Sequence, residues 1–244
     1  MSQLIVFTDL DSTLLDHETY SFSAALPALE QLRRKNIPLA MVTSKTRAEI
    51  KGLRAELNLS GPDVCENGSW SRSYEWICNE LLQASLETGV QIRSFHQMSD
   101  EEIAAVTSLP VASAHLAAQR EFSEPFCFVS EEQAPVLLAA LEHRGLHWTR
   151  GGRFHHVFEK GSKGEAVKEI LSQLPEPVSI GLGDAPNDIS FLAVVDYPVI
   201  VRSPKVQEMS SAIPHARITE QEGPAGWNEA ILQLLEAQGT LSAI

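Results

Sequence analysis

Two short acidic segments sit near opposite ends of the chain. DLDSTL, from Asp9 to Leu14, directly follows the apolar run QLIVFT, and GDAPND, with Asp184 and Asp188, directly follows VSIGLG. In an open α/β sheet, ligands collect beyond the carboxyl ends of the strands, and neighbouring carboxylates there can share a hard cation. Taken singly, each segment has an ordinary explanation: an Asp-rich turn closing a strand, and a helix N-cap with an acidic first turn. Together, at two strand ends, they are better explained by one cation site. Thr43 and Ser44 follow a third apolar run, IPLAMV, and open a helical pattern, where hydroxyls and backbone N–H groups favour a phosphate. Lys163 stands in the first turn of another helix, where the dipole disfavours a cation and an anionic partner would stabilise it.

These residues require elements that bring distant strand ends together. Strands and helices alternate at both ends of the chain, the pattern of a doubly wound parallel sheet covered on both faces. The apolar positions Leu26, Leu29 and Leu32 give a helix within 21–35, and a further helix follows over 46–57. Ser162 with Glu165 reads as a capping box before a helix through Leu171, and Pro186 suits the first turn of the next. The middle reads differently. Ser99 with Glu102 and Ser130 with Gln133 each match a capping box, the second opening a helix that ends near Gly145, and LHWTR and FHHVFE flank Gly151 and Gly152 as a hairpin. The expected organisation is an α/β core over 1–78 and 161–244, carrying an inserted α+β domain, a lid, over 79–160.

With 244 residues and 43% hydrophobic composition, the chain can bury a substantial core. No run approaches the roughly 20 apolar residues of a membrane span, and no basic, apolar leader opens the chain, so a soluble cytoplasmic protein is expected. Cys65, Cys78 and Cys127 lack paired spacing and read as ordinary thiols. A formal charge of −13 argues against nucleic acid, whose phosphates need Lys and Arg. The same field repels a phosphorylated substrate, so a phosphate site here needs a bound cation and a few placed basic side chains to reverse the sign locally.

DxDxT, a strand-end Thr/Ser, a Lys and GDxxND, in this order, resemble the haloacid dehalogenase superfamily. The interval from Thr43 to Lys163 is much longer than that from Asp9 to Thr43 and alone has room for a domain, the arrangement called a C2 cap. ENG (66–68), SKTRAE (44–49), REFSEPF (120–126) and GGRFHH (151–156) are similar to mannosyl-3-phosphoglycerate phosphatases. Members of that family release phosphate from 2-O-mannosyl-3-phosphoglycerate to give mannosylglycerate, a compatible solute.

The resemblance implies Asp9 as nucleophile, forming an aspartyl-phosphate, and Asp11 as the acid that protonates the leaving alkoxide and then activates water. It implies Mg²⁺ held by Asp9, the backbone carbonyl of Asp11 and Asp184, with Asp188 and Asn187 behind them. Thr43 and Lys163 would hold the non-bridging phosphoryl oxygens. Ser44, Arg120, Glu121, Ser123, Gly152 and Arg153 are implied as substrate contacts, with the two arginines reading a carboxylate. Thr13 is expected to shape its loop rather than take part in the chemistry. His155 and His156 are adjacent on a strand and point to opposite faces, which argues against a shared metal. A glucosyl rather than mannosyl substrate, a phosphomutase and a noncatalytic sensor remain as alternatives.

Overall fold

The computed structural model describes residues 3–151 and 153–241. The strands are β1 (Gln3–Thr8), β2 (Leu39–Val42), β3 (Asp63–Val64), β4 (Ser69–Trp70), β5 (Ile92–Ser94), β6 (Ser123–Phe128), β7 (His147–Gly151), β8 (Phe154–Phe158), β9 (Lys160–Gly161), β10 (Pro177–Gly183), β11 (Tyr197–Arg202) and β12 (Arg217–Glu222). The helices are α1 (Leu26–Arg34), α2 (Arg47–Leu57), α3 (Tyr74–Thr88), α4 (Asp100–Thr107), α5 (Val111–Ala117), α6 (Ala134–His143), α7 (Lys163–Ser172), α8 (Ile189–Leu192), α9 (Val206–Ala212) and α10 (Gly223–Leu241).

Two compact units form: residues 1–43, 54–64 and 163–244, and residues 44–53 and 65–162. The first is built on a six-stranded parallel sheet in the order β12-β11-β10-β1-β2-β3. Its central strands read as continuous apolar runs because both faces are buried. Ile5, Phe7, Ala40 and Val42 pack with Val167, Phe191, Leu192 and Met209 in one core. From β1 the chain builds outward to β2 and β3 on one side, and β10, β11 and β12 fill the other. The order therefore reverses between β1 and β10, the place where such sheets leave a crevice for ligands.

The second unit carries a four-stranded antiparallel sheet, β5-β6-β8-β7, and a two-stranded ribbon of β4 and β9. The expected hairpin is β7–β8, and Gly152 lies outside the described residues. The sequence boundary at Asn79 falls inside α3. Its Ile77, Leu81 and Ala84 pack with Phe126, Leu137, Leu141 and Val157, so the unit's second segment begins at Cys65. The Ser99–Glu102 capping box forms, with both reciprocal bonds. The one at Ser130 does not: its side chain caps nothing, and Gln133 N–H bonds the Ser130 carbonyl in a 3₁₀ turn ahead of α6. SKTRAE supplies a capping box at the Thr-x-x-Glu spacing that the sequence reading did not name: Thr46 N donates to Glu49 Oε2 at 2.7 Å and Glu49 N to Thr46 Oγ1 at 3.1 Å.

His155, on β8, is buried between the rings of Phe126, Phe128 and Trp148, with centroids 5.6, 5.0 and 5.8 Å away. Its Nδ1 has no hydrogen-bond partner among the described residues. Burial holds its pKa below the ordinary value, and Arg150 adds to this against the opposite pull of Glu131. A histidine kept neutral when folded takes up a proton on unfolding, so stability is lost as pH falls below the unfolded value of about 6.5. His155→Phe should flatten part of that loss. Thermal melts from about pH 7.5 to 5 check this, and parallel declines for variant and parent would refute it.

Candidate active site

Asp9 emerges from β1 at the point where the sheet order reverses, with its N–H bonded to the Leu182 carbonyl of β10 at 2.9 Å. One residue beyond the end of β10 stands Asp184. The turn between them and Asp188 is tight: a Cβ on Gly183 would lie 2.6 Å from the Asp188 Cβ, so only glycine lets the loop fold this closely. Asp188 Oδ2 accepts the N–H groups of Asp184 and Ala185, both at 3.1 Å, which fixes the loop. Gly164 acts likewise at the start of α7, where a Cβ would sit 2.3 Å from the Ser190 carbonyl oxygen. That close approach seats Lys163.

Lys163 Nζ lies 2.7 Å from Asp9 Oδ1 and 2.7 Å from Asp188 Oδ1, and the lysine is 1% exposed. Burial works against its charge, but the Asp188 and Asp9 carboxylates more than offset this and hold its pKa above the ordinary lysine value. The carboxylates are strained the other way. Burial, then repulsion from Asp188, raises Asp9 well above the usual carboxylate range despite Lys163. Asp184 is pushed up to about 7, by burial first and then by Asp188. Asp11 adds its charge against both. Such crowding calls for a further cation.

The donor set fits one. Oxygens of Asp9, Asp184 and Asp188 lie within 4.8 Å of one another. Asp188 spends both of its oxygens on protein donors, Asp9 Oδ1 is taken by Lys163, and Asp184 Oδ1 accepts from Thr13 Oγ1 at 2.9 Å. Asp9 Oδ2 and Asp184 Oδ2 remain unclaimed by protein donors among the described residues. Carboxylate oxygens are the ligands that hard divalent cations take, so this acidic cluster could hold a metal ion.

Asp9, Lys163, Asp184 and Asp188 are thus brought together by direct contacts, and Asp11 stands two residues from Asp9. Thr43 is fully buried at the end of β2, where its N–H bonds the Val64 carbonyl at 2.8 Å, so that backbone donor serves the sheet. The anionic partners foreseen for Lys163 are two of the protein's own carboxylates.

In the second unit the expected substrate contacts mostly hold one another. Glu66 accepts from the N–H groups of Glu121, Phe122 and Ser123 and from Ser123 Oγ at 2.8–3.2 Å, and its Oε2 lies 3.4 Å from Arg120 Nε. Arg120 also donates to the Ser44 carbonyl at 3.1 Å and to Ser123 Oγ at 2.7 Å. Its side chain is 3% exposed. A buried guanidinium so occupied organises segments 44–45 and 120–123 instead of standing free for a carboxylate. Glu66 and Asn67 both have left-handed backbone, φ 48° and 61°, a strained pair that this network stabilises. Arg153 is exposed and gives Nη2 to the Thr107 carbonyl at 2.7 Å. His155 and His156 are both buried in β8, outside the acidic cluster.

Three contributors to the site escaped the sequence reading. Thr13 does more than shape its loop, since its hydroxyl orients Asp184. Thr8 Oγ1 donates to the Asp9 carbonyl at 2.7 Å and itself accepts from Trp227 Nε1 at 2.9 Å. Thr8 and Trp227 are fully buried, so helix α10 holds the backbone of Asp9 through a side-chain relay. A polar residue closing the apolar run QLIVFT was the available signal at Thr8. None marked Trp227, whose partner lies 219 residues away.

A solved HAD subclass IIB sugar phosphatase superposes with a TM-score of 0.71 at 18% identity, over 95% of this chain and 99% of that one. The fold class is therefore that of the haloacid dehalogenase phosphatases. The family model described as sucrose-6F-phosphate phosphohydrolase matches residues 2–231. A glucosyl-3-phosphoglycerate/mannosyl-3-phosphoglycerate phosphatase of Persephonella marina is 35% identical over 95% of this chain and 97% of its own length. A protein of the same name from Methanococcoides burtonii is 36% identical over the same shares. The chain belongs to this family of haloacid dehalogenase-type phosphatases.

Thr8→Val and Trp227→Phe each remove one link of the relay while keeping most of the buried volume. Each should lower kcat by roughly five- to thirtyfold with little change in KM, as expected for about 1–2 kcal/mol of lost positioning. The double variant should lose no more than the worse single one. Additive losses would separate the two residues, and unchanged kcat in both would dismiss the relay.

Proposed function

We propose that the chain hydrolyses the phosphate ester of mannosyl-3-phosphoglycerate, giving mannosylglycerate, and accepts the glucosyl compound as well. One observation carries the chemistry: a buried carboxylate at the switch point of the sheet, Asp9, held through one oxygen by Lys163, with the other free to react. The choice of substrate is supported by the two relatives, whose shared name carries both sugars. The three free thiols are in keeping with a cytoplasmic enzyme.

In this reading Asp9 attacks phosphorus in line, forming an O–P bond as the ester P–O bond breaks. Asp11, two residues on, gives its proton to the departing alkoxide. It then takes a proton from water, which attacks the aspartyl-phosphate and releases phosphate and free Asp9. Lys163, anchored by Asp188, and the Thr43 hydroxyl oppose the charge on the non-bridging oxygens. Mg²⁺, held by Asp9, Asp184 and the Asp11 carbonyl, would supply charge neutralisation at the phosphoryl group. Asp188 stays behind these ligands because both of its oxygens are engaged. Thr13 keeps Asp184 turned toward the site. Arg120 is a positioning residue for Ser44 and Ser123, while the exposed Arg153 remains available to substrate.

Asp9→Asn should abolish steady-state phosphate release while leaving the fold intact, because it removes the nucleophile and almost no volume. Measurable turnover by that variant would refute the aspartyl-phosphate route. Activity should also disappear with EDTA and return with Mg²⁺, whereas Ca²⁺, with its larger and looser shell, should restore little. Full activity after exhaustive metal removal would refute the cation's role.

A further inference from the structure

The parallel ladder between β10 and β11 has its last rung at Gly183 and Ile200. Asp184 lies one residue beyond it, so its carbonyl oxygen leaves the sheet without a strand partner. A peptide carbonyl between a buried strand and a tight turn needs a donor from elsewhere. Ser203, the first residue after β11, supplies one: its Oγ donates to the Asp184 carbonyl at 2.7 Å. A side chain thereby extends the sheet connection past its last backbone rung.

The half-buried Ser203 hydroxyl is directed by its own surroundings. Its Oγ accepts from the Lys205 N–H at 3.1 Å, which leaves its proton for Asp184. The backbone is pinned on both sides. Val206 N–H bonds the Ser203 carbonyl at 3.2 Å as the chain turns into α9, whose Met209 is buried in the core of the sheet. On the other side, Arg202 N–H donates to Thr219 Oγ1 at 2.9 Å and Arg202 Nε to the Thr219 carbonyl at 3.1 Å. Thr219 is fully buried in β12, so the end of β11 cannot drift.

These contacts fall where they set the direction of the Asp184 side chain. The peptide plane between Asp184 and Ala185 is gripped at both edges, by Ser203 at the carbonyl and by Asp188 Oδ2 at the N–H, 3.1 Å away. The Asp184 N–H bonds the same Asp188 oxygen at 3.1 Å, and Thr13 takes Asp184 Oδ1 at 2.9 Å. Without Ser203, one edge of the plane is released and the carboxylate can rock with it. All of these residues belong to the first unit.

We propose that Ser203 is a positioning residue for the cation site: by fixing the Asp184 carbonyl it holds the carboxylate so that Oδ2 can ligate a divalent cation. The inference rests on the metal-binding part given to Asp184 above. Groups that orient a ligand spare the cation the cost of ordering it, so their loss shows first in metal affinity.

The test titrates the intact, metal-free protein with Mg²⁺ by calorimetry. Ser203→Ala should weaken Mg²⁺ binding roughly five- to thirtyfold, and Ser203→Thr, which keeps the hydroxyl, should recover most of the loss. The Mg²⁺ concentration for half-maximal phosphate release from p-nitrophenyl phosphate should rise by a similar factor in Ser203→Ala. Ser179→Ala serves as the comparison, because it removes a buried hydroxyl of β10 that donates to Asp196 Oδ2 at 2.7 Å and accepts the Asp196 N–H at 3.0 Å. That variant should melt at a lower temperature than the parent and leave Mg²⁺ affinity unchanged. Parent-like Mg²⁺ binding by Ser203→Ala, a loss no larger than that in Ser179→Ala, or no recovery in Ser203→Thr would overturn the proposal.

Amide hydrogen exchange of the metal-free protein separates this claim from the metal reading. If the parent binds no divalent cation and turns over without one, the metal reading fails. Ser203 then stands as the residue that holds Asp184 if exchange over 184–188 is faster in Ser203→Ala than in the parent, and falls if exchange there is unchanged.

Discussion

The acidic cluster at the switch point of the sheet depends on one ammonium group. Three aspartates with oxygens within 4.8 Å of one another, and a fourth close enough to raise two of their pKa values, would repel strongly in a buried pocket. Lys163 Nζ stands 2.7 Å from two of them and turns that repulsion into a framework. Its own position depends on close backbone approaches at Gly164 and Gly183, which bring α7, α8 and the loop after β10 together. The parallel sheet supplies the rest. Because its strand order reverses between β1 and β10, Asp9 and an acidic loop from opposite ends of the chain emerge side by side.

Glu66 plays the corresponding part in the second unit with the charges exchanged. There a buried carboxylate collects three backbone N–H groups, a hydroxyl and a guanidinium. ENG and REFSEPF, far apart in the chain, prove to be two halves of one network. Their tight sequence pattern reflects the mutual satisfaction of buried polar groups, where losing any member leaves the others unpaired. Arg120, which looks like a ligand reader when considered alone, is consumed by that network.

What was legible in the sequence followed local rules. Continuous apolar runs announced the buried parallel strands, and the acidic residues at their ends announced the site. The Ser99–Glu102 cap and the hairpin before Phe154 obey patterns contained within a few residues. Failures came where a tertiary partner decided the outcome. An amphipathic helix looks the same whichever core it joins, so the boundary was placed inside α3. Ser130 has cap spacing, yet its carbonyl, not its hydroxyl, accepts the Gln133 N–H. The Glu66 donors lie more than fifty positions downstream, and Trp227 lies 219 positions from Thr8. No local pattern encodes such pairings.

That last contact also orders events during synthesis. Every residue of the acidic cluster, from Asp9 to Asp188, leaves the ribosome before Trp227 does, and α10 can dock only later still. Until then the Thr8 hydroxyl lacks the indole that directs it, and the backbone of Asp9 lacks its final restraint. A nascent chain can therefore display both acidic segments before the backbone of Asp9 is fully restrained, and gains that restraint only once α10 has been made.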